Sequence, residues 1–272
     1  TSPAANSALF SKNPPMKRIS LVIISLLFAN IYIMAKPWKD GLNYTIHLGY
    51  SIGGTLPVGM PAEIRSLNSY TLCPNLQLGI RVNHIFKNTK WGVMSGLTLE
   101  QKGMIIDAAV KNYHITFSQG GQEIEGQFTG NNYTKETQFQ LTLPITATFN
   151  IKQVSIYAGV YGSWVLGSTF EGYAYNGYLR RREMGMEPGD PTGAKIEIGE
   201  TPESRGNYNF SDDMRKVQAG IIAVADLVFS KHWGAYLNVT YGFSAIHRAS
   251  FKVLDQKLHP MYGTIGVVYK MK

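Results

Sequence analysis

The sequence predicts an all-β protein: a single up-and-down antiparallel transmembrane β-barrel of about eight strands, with short periplasmic turns and long outer loops. Three features carry that expectation. Eight segments alternate apolar with polar or small residues, few of them charged, at a period of two. The links between them are alternately short and long. Aromatic residues gather beside the short links, on the apolar side of the alternation.

In chain order, residues 1–15 precede Met16 and read as an upstream extension outside the fold. From Met16, the basic pair Lys17 and Arg18 leads into the apolar run ISLVIISLLF and on to the small residue Ala35. That layout predicts a secretory signal peptide over 16–35, with the barrel domain in 36–272. Ser20, Ser25 and Asn30 interrupt the run, which is short for a retained membrane anchor.

The first strand is expected over 42–52, where Leu42, Tyr44, Ile46, Leu48, Tyr50 and Ile52 share one face and Asn43, Thr45, His47, Gly49 and Ser51 the other. In 72–86, Leu76, Leu78, Ile80 and Val82 oppose Gln77, Gly79, Arg81 and Asn83. In 91–102, Trp91, Val93, Leu97 and Leu99 oppose Met94, Thr98, Glu100 and Lys102. Segment 138–150 sets Phe139, Leu141, Leu143 and Ile145 against Gln138, Gln140, Thr142 and Thr146. Segment 154–168 sets Val154, Ile156, Val160 and Trp164 against Ser155, Tyr157, Tyr161 and Ser163, with Val165 out of phase. Three more follow at 216–229, 233–244 and 262–271. Short links fall at 87–90, 150–153 and 230–232, and long ones at 54–70, 104–134, 171–213 and 246–260.

What each face touches follows from its chemistry. A soluble lipocalin-like barrel puts its apolar face inward and shows the other to water. A water-facing surface carries roughly 25–35% charged residues. Here the second face is Gln, Asn, Thr, Ser, Gly and Tyr with only a few charges, and the whole chain is only 16% charged. The apolar face is therefore expected to meet lipid and the polar face to line the lumen. Phe86, Trp91, Phe149, Phe229, Trp233 and Tyr269 flank the short turns on the apolar face, as a lipid-facing aromatic girdle at one membrane interface would. Trp164 lies up-strand from Val154 by roughly 25 Å, the height of an apolar band.

Composition excludes other classes. The formal charge is +8, but Lys12, Lys17 and Arg18 precede the barrel and the remaining surplus is spread thinly. No nucleic-acid partner is expected from that pattern. The one cysteine, Cys73, allows no internal disulfide.

The stretches LTLEQKG (97–103), FQLTLPI (139–145), IYAGVYGSWVLGS (156–168) and VQAGIIAVADLVFSKHWGAYLNVTYGFSAI (217–246) carry a family resemblance. Together they resemble the PorT-type outer-membrane β-barrel family of Bacteroidota. A Glu-x-x-Lys-Gly-like stretch ends one strand, a Leu-x-Leu-Pro motif opens the next, and Phe243 and Ser244 stand where the family usually has Leu-Thr. The resemblance covers 91–272 and, more weakly, 42–90. It implies a Gram-negative outer-membrane location and a barrel. One family member resembles a factor needed for protein secretion and gliding.

Candidate chemistry is sparse. His47, Arg81, Glu100, Lys102 and Asp226 fall on the lumen face by parity, as does Lys216. Charges inside a narrow barrel must pair. The expected lumen is a polar network with Arg81 and Asp226 sharing one site near the periplasmic end. Ser244 and His247 lie close in sequence but at an odd separation, on opposite faces of a continued strand, so no catalytic pair is expected. Asp212 and Asp213 have no His within sequence reach. Nothing resembles a metal or cofactor motif. The Asn-x-Thr triplets at Asn43, Asn132 and Asn238 are read as chance. The third long loop, 179–206, is the expected interaction surface, and AKIEIGE (194–200) alternates as a hairpin arm would. The functional expectation is a membrane-anchored scaffold or interaction component of the envelope, linked to protein secretion through an outer-loop partner. The alternatives are a small-molecule channel or uptake protein and, behind it, an outer-membrane hydrolase or acyltransferase.

Overall fold

The computed structural model describes residues 42–57, 62–119, 122–181, 194–251, 253 and 257–271. The expected signal peptide and upstream extension lie outside the described residues. The compact unit Asn43–Lys272 holds the sheet.

Among the described residues, eleven strands form one sheet: β1 (Leu42–Pro57), β2 (Ile64–Leu72), β3 (Leu76–Ile85), β4 (Trp91–Gln119), β5 (Gln122–Ile151), β6 (Val154–Arg181), β7 (Lys195–Ile198), β8 (Gly206–Asn209), β9 (Val217–Val228), β10 (Trp233–Gly242) and β11 (Leu258–Lys270). Eight of them close a ring in the order β1, β11, β10, β9, β6, β5, β4, β3 and back to β1. The three short strands sit in the outer connections: β2 pairs with β4, β7 with β6, and β8 with both β4 and β6. Among the described residues no helix is long and apolar enough to cross a membrane. The spanning elements are strands, whose backbone groups are paired by ring closure. Short turns join the near ends, where Asn88 and Lys152 take positive φ values of 58° and 51°.

The near half of the barrel is inverted relative to a soluble protein. Leu48, Leu78, Val93, Ile145, Val160 and Ile265 are exposed on the outside. Gln77, Thr98, Thr142, Thr146, Thr148 and Asn238 are buried within. The alternation read from sequence is the record of these two environments.

The other half departs from the expectation. The link expected at 104–134 is strand throughout its described residues, and the one expected at 171–213 is strand in part: β4 and β5 run 29 and 30 residues and stay paired to Gln119 and Gln122, β6 runs 28 to Arg181, and β7 and β8 add four residues each. Beyond the lipid boundary their inner face turns apolar. Ile115, Phe117, Phe128, Phe170, Leu179 and Met214 form a buried core there. The Ser118–Asn207 pairing of β4 with β8 folds this extension into a cap. AKIEIGE supplies β7, whose partner is β6 through Gly177–Arg180.

A bulge shifts the phase of β6 just beyond Val165. Phe139 pairs with Gly167 but its neighbour Gln140 pairs with Val165, so Leu166 is an extra residue. Val165, before the extra residue, keeps the odd-numbered inward parity of Tyr161 and Ser163 and is buried, and beyond it even-numbered Phe170 and Ala174 become the inner face.

Candidate functional site

The lumen holds three polar groups stacked along its length. Nearest the short turns, Arg81 Nη1 donates to Asp226 Oδ1 at 3.1 Å, both side chains being buried. The guanidinium also lies 4.8 Å over the Tyr236 ring. Tyr236 Oη accepts from Gln77 Nε2 at 2.6 Å. His47 meets the same ring edge-on at 5.5 Å, and its Nε2 is 3.3 Å from Thr98 Oγ1. The glycines flanking Tyr236 are a packing requirement: a Cβ on Gly49 would stand 2.1 Å from Tyr236 Oη, and one on Gly266 2.6 Å from its ring.

Further up, Lys102 Nζ binds Glu100 Oε2 at 2.6 Å, and Gln140 Nε2 donates to the same oxygen at 3.2 Å. The Lys102 ammonium sits 5.6 Å from the Tyr161 centroid and 5.4 Å from that of Tyr262. Above this pair, Glu136 is fully buried. Its carboxylate accepts from Thr55 Oγ1 at 3.1 Å and from Gln138 Nε2 at 2.5 Å, while Gln218 Nε2 donates to Gln138 Oε1 at 2.6 Å.

Thus all five sequence-derived lumen residues point inward, but in separate groups: Arg81, Asp226 and His47 gather around Tyr236, and Glu100 pairs with Lys102. Glu136 was missed because the strand was expected to start at 138. Its signal was present, since Glu136, Gln138 and Gln140 share one parity. Lys216, placed in the lumen by parity, is instead exposed. The β9 ladder starts only at Val217, so parity does not govern its side chain.

Outside, Phe86, Trp91, Phe229 and Trp233 are exposed near the short turns. Trp91 packs on Phe149 at 4.7 Å and Trp233 on Tyr269 at 5.0 Å, each pair being cross-strand neighbours. At the far edge of the apolar band, Trp164, Phe139 and Phe243 are exposed. The two aromatic levels bound a slab that matches a hydrocarbon layer.

Met214 bridges to His247 and the Arg248 amide donates to Asp213 O at 2.9 Å, so the turn that carries Asp212 and Asp213 lies beside His247. Ser244 Oγ accepts the Ala219 amide at 3.1 Å. His247 is boxed between Phe170 at 4.7 Å and Phe251 at 4.4 Å. Asp212 and Asp213 form a short 3-10 turn. Among the described residues, no group of three or more His, Cys, Asp or Glu side chains is placed to hold a metal.

Burial pushes His247 down from 6.5 to about 4. The unfolded segment takes a proton near 6.5 while the folded one resists until about 4. This site's contribution to stability is therefore complete above the unfolded value and is lost as pH falls through the interval. Faster amide exchange in 243–251 and 170–174 is expected at pH 5 than at pH 7.5, after correction for intrinsic rates. His247→Phe should abolish the difference, and a wild-type profile flat across that range would contradict the neutral buried imidazole.

The profile of the family described as Outer membrane protein beta-barrel domain matches residues 30–248. Among curated proteins, none matches the chain by sequence. Similar solved structures include the outer membrane protein OprG from Pseudomonas aeruginosa, at 13% identity over 86% of this chain and 97% of that one, with a TM-score of 0.28. Another is the translocator domain of the autotransporter NalP from Neisseria meningitidis, at 9% identity over 94% of this chain and 97% of that one, with a TM-score of 0.24.

Proposed function

The chain belongs to the outer membrane protein beta-barrel domain family, and on that premise we propose that it is a non-enzymatic interaction scaffold of the cell envelope. The barrel anchors the chain in the outer membrane, and the cap built on β4, β5 and β6 presents a folded surface to an envelope partner. The link to protein secretion comes from the PorT-type resemblance of 91–272. One observation carries the reading: chain length is invested in an apolar-cored cap above a lumen filled by ion pairs and by Tyr157, Tyr161 and Tyr236. An uptake pore needs a continuous wet path, which such a filling opposes.

The test joins two measurements. Crosslinking pull-down from the native envelope is expected to recover a reproducible protein partner, lost when 179–206 is shortened. Planar-bilayer recording of the purified barrel is expected to show no stable conductance. Stable open channels without a partner would replace the scaffold with the channel reading.

A further inference from the structure

The outward face of β4, β5, β6 and β8 changes character along its length. In the near half Ile145, Val160 and Trp164 are exposed and apolar, and Phe139 ends the series. Next come the cross-strand partners Lys135 and Glu171, paired at 3.1 Å and both partly exposed. Then Asp107, Tyr133, Tyr173 and Asn207 stand side by side as successive cross-strand neighbours. Six residues above Phe139 at a tilt near 40°, Tyr133 stands roughly 15 Å beyond the apolar edge.

That row is rigid. The Tyr133 and Tyr173 rings stack at 4.8 Å, and the Arg205 guanidinium lies 4.1 Å over Tyr173. Arg205 Nε donates to Asn207 Oδ1 at 2.8 Å. Tyr175 Oη donates to Asp107 Oδ2 at 2.5 Å. Asn68 Nδ2 reaches Asp107 Oδ1 at 3.3 Å and Asn131 Oδ1 at 3.1 Å. The row shows ring edges, hydroxyls, amides and one guanidinium, all held by strands and by one another.

We propose that this strip binds an outer-leaflet glycolipid, with its acyl chains along Ile145, Val160 and Trp164 and its saccharide headgroup against the tyrosine and asparagine row. The strip is apolar below and rich in hydrogen-bonding groups above, in the order of such an amphiphile. Phospholipid headgroups extend roughly 5–8 Å beyond the hydrocarbon and would not reach the row. Lys135 and Arg205 are offset by Glu171 and Asp107, so the surface matches a hydroxyl-rich head better than a bare polyanion. Fixed side chains lose little entropy on contact. This inference is independent of the scaffold reading and survives if that reading fails.

The folded protein in nanodiscs would be titrated with lipopolysaccharide carrying its core oligosaccharide, with its core-free lipid A portion, and with phosphatidylglycerol, bound lipid being counted by native mass spectrometry. Core-bearing glycolipid is expected to bind at least tenfold more tightly than the other two. The double variant Tyr133→Ala/Tyr173→Ala should lose that preference while still shifting on gels with boiling. If it does not fold, the pair Asn68→Ala and Asn131→Ala should still lower the preference several-fold. Equal affinity for core-bearing and core-free lipid would overturn the proposal. So would an undiminished preference in a folded variant, or a protein partner crosslinked at the tyrosines with no saccharide dependence.

Discussion

Replacing Arg81 with methionine while Asp226 remains is expected to destabilise the barrel by about 3–5 kcal/mol, the usual cost of leaving one member of a buried ion pair alone. Both side chains are almost completely buried, and the 3.1 Å contact is the only ion pair formed by either among the described residues. The cation also sits over Tyr236, which holds Gln77. Its loss therefore removes a charge partner and loosens the packing of β3 against β10. The double replacement Arg81→Met/Asp226→Leu should recover most of the loss, because a packed apolar pair requires no charge desolvation. Urea unfolding of the barrel in lipid vesicles measures all three species. A single variant as stable as wild type would mean that water reaches Asp226, and the lumen would then not be dry at that level.

The part of this protein that was legible in its sequence is the part that lipid constrains. In hydrocarbon an outward residue must be apolar, and inward residues of a narrow ring are small, polar or aromatic. Segments 42–52, 91–102 and 233–244 could thus be read with correct faces from parity alone. The constraint ends at Trp164. Above it the outside returns to water, and the inside becomes an ordinary apolar core. Alternation persists with its meaning reversed, as Phe128 and Ile115 inside against Lys135 and Glu171 outside show. A reader expecting lipid-facing apolar residues sees these stretches as mixed and assigns loops. The phase slip at Leu166 deepened the error, since it moved the inner face of β6 from odd to even numbers. Glu136 was hidden by the same boundary, being one parity step below the expected strand start. The Arg81 and Asp226 pairing was within reach because few charges fall inside and opposite signs must meet.

Phe128→Ala is expected to cost about 3–5 kcal/mol, as truncation of a fully buried aromatic does, but in the cap alone. Phe128 is fully buried and meets Phe117 at 6.3 Å in an edge-to-face pair. Its cluster includes Leu179, Ile198, Tyr208 and Met214, whereas the lumen cluster is built from Met94, Tyr157, Tyr161 and Tyr236. No buried residue belongs to both clusters, and the polar groups of Glu100, Lys102 and Glu136 lie between the two levels. Local opening should then be separable from global unfolding. Amide exchange is expected to accelerate in 113–128 and 170–181, while 154–164 and 233–242 keep wild-type protection and boiling still shifts the gel band. If protection fell equally in both halves, cap and barrel would be one cooperative unit. The variant also separates the two roles of the chain: a barrel that stays in the membrane but no longer captures its partner assigns recognition to the folded cap, whereas undiminished capture assigns it to segments that do not depend on the cap's core.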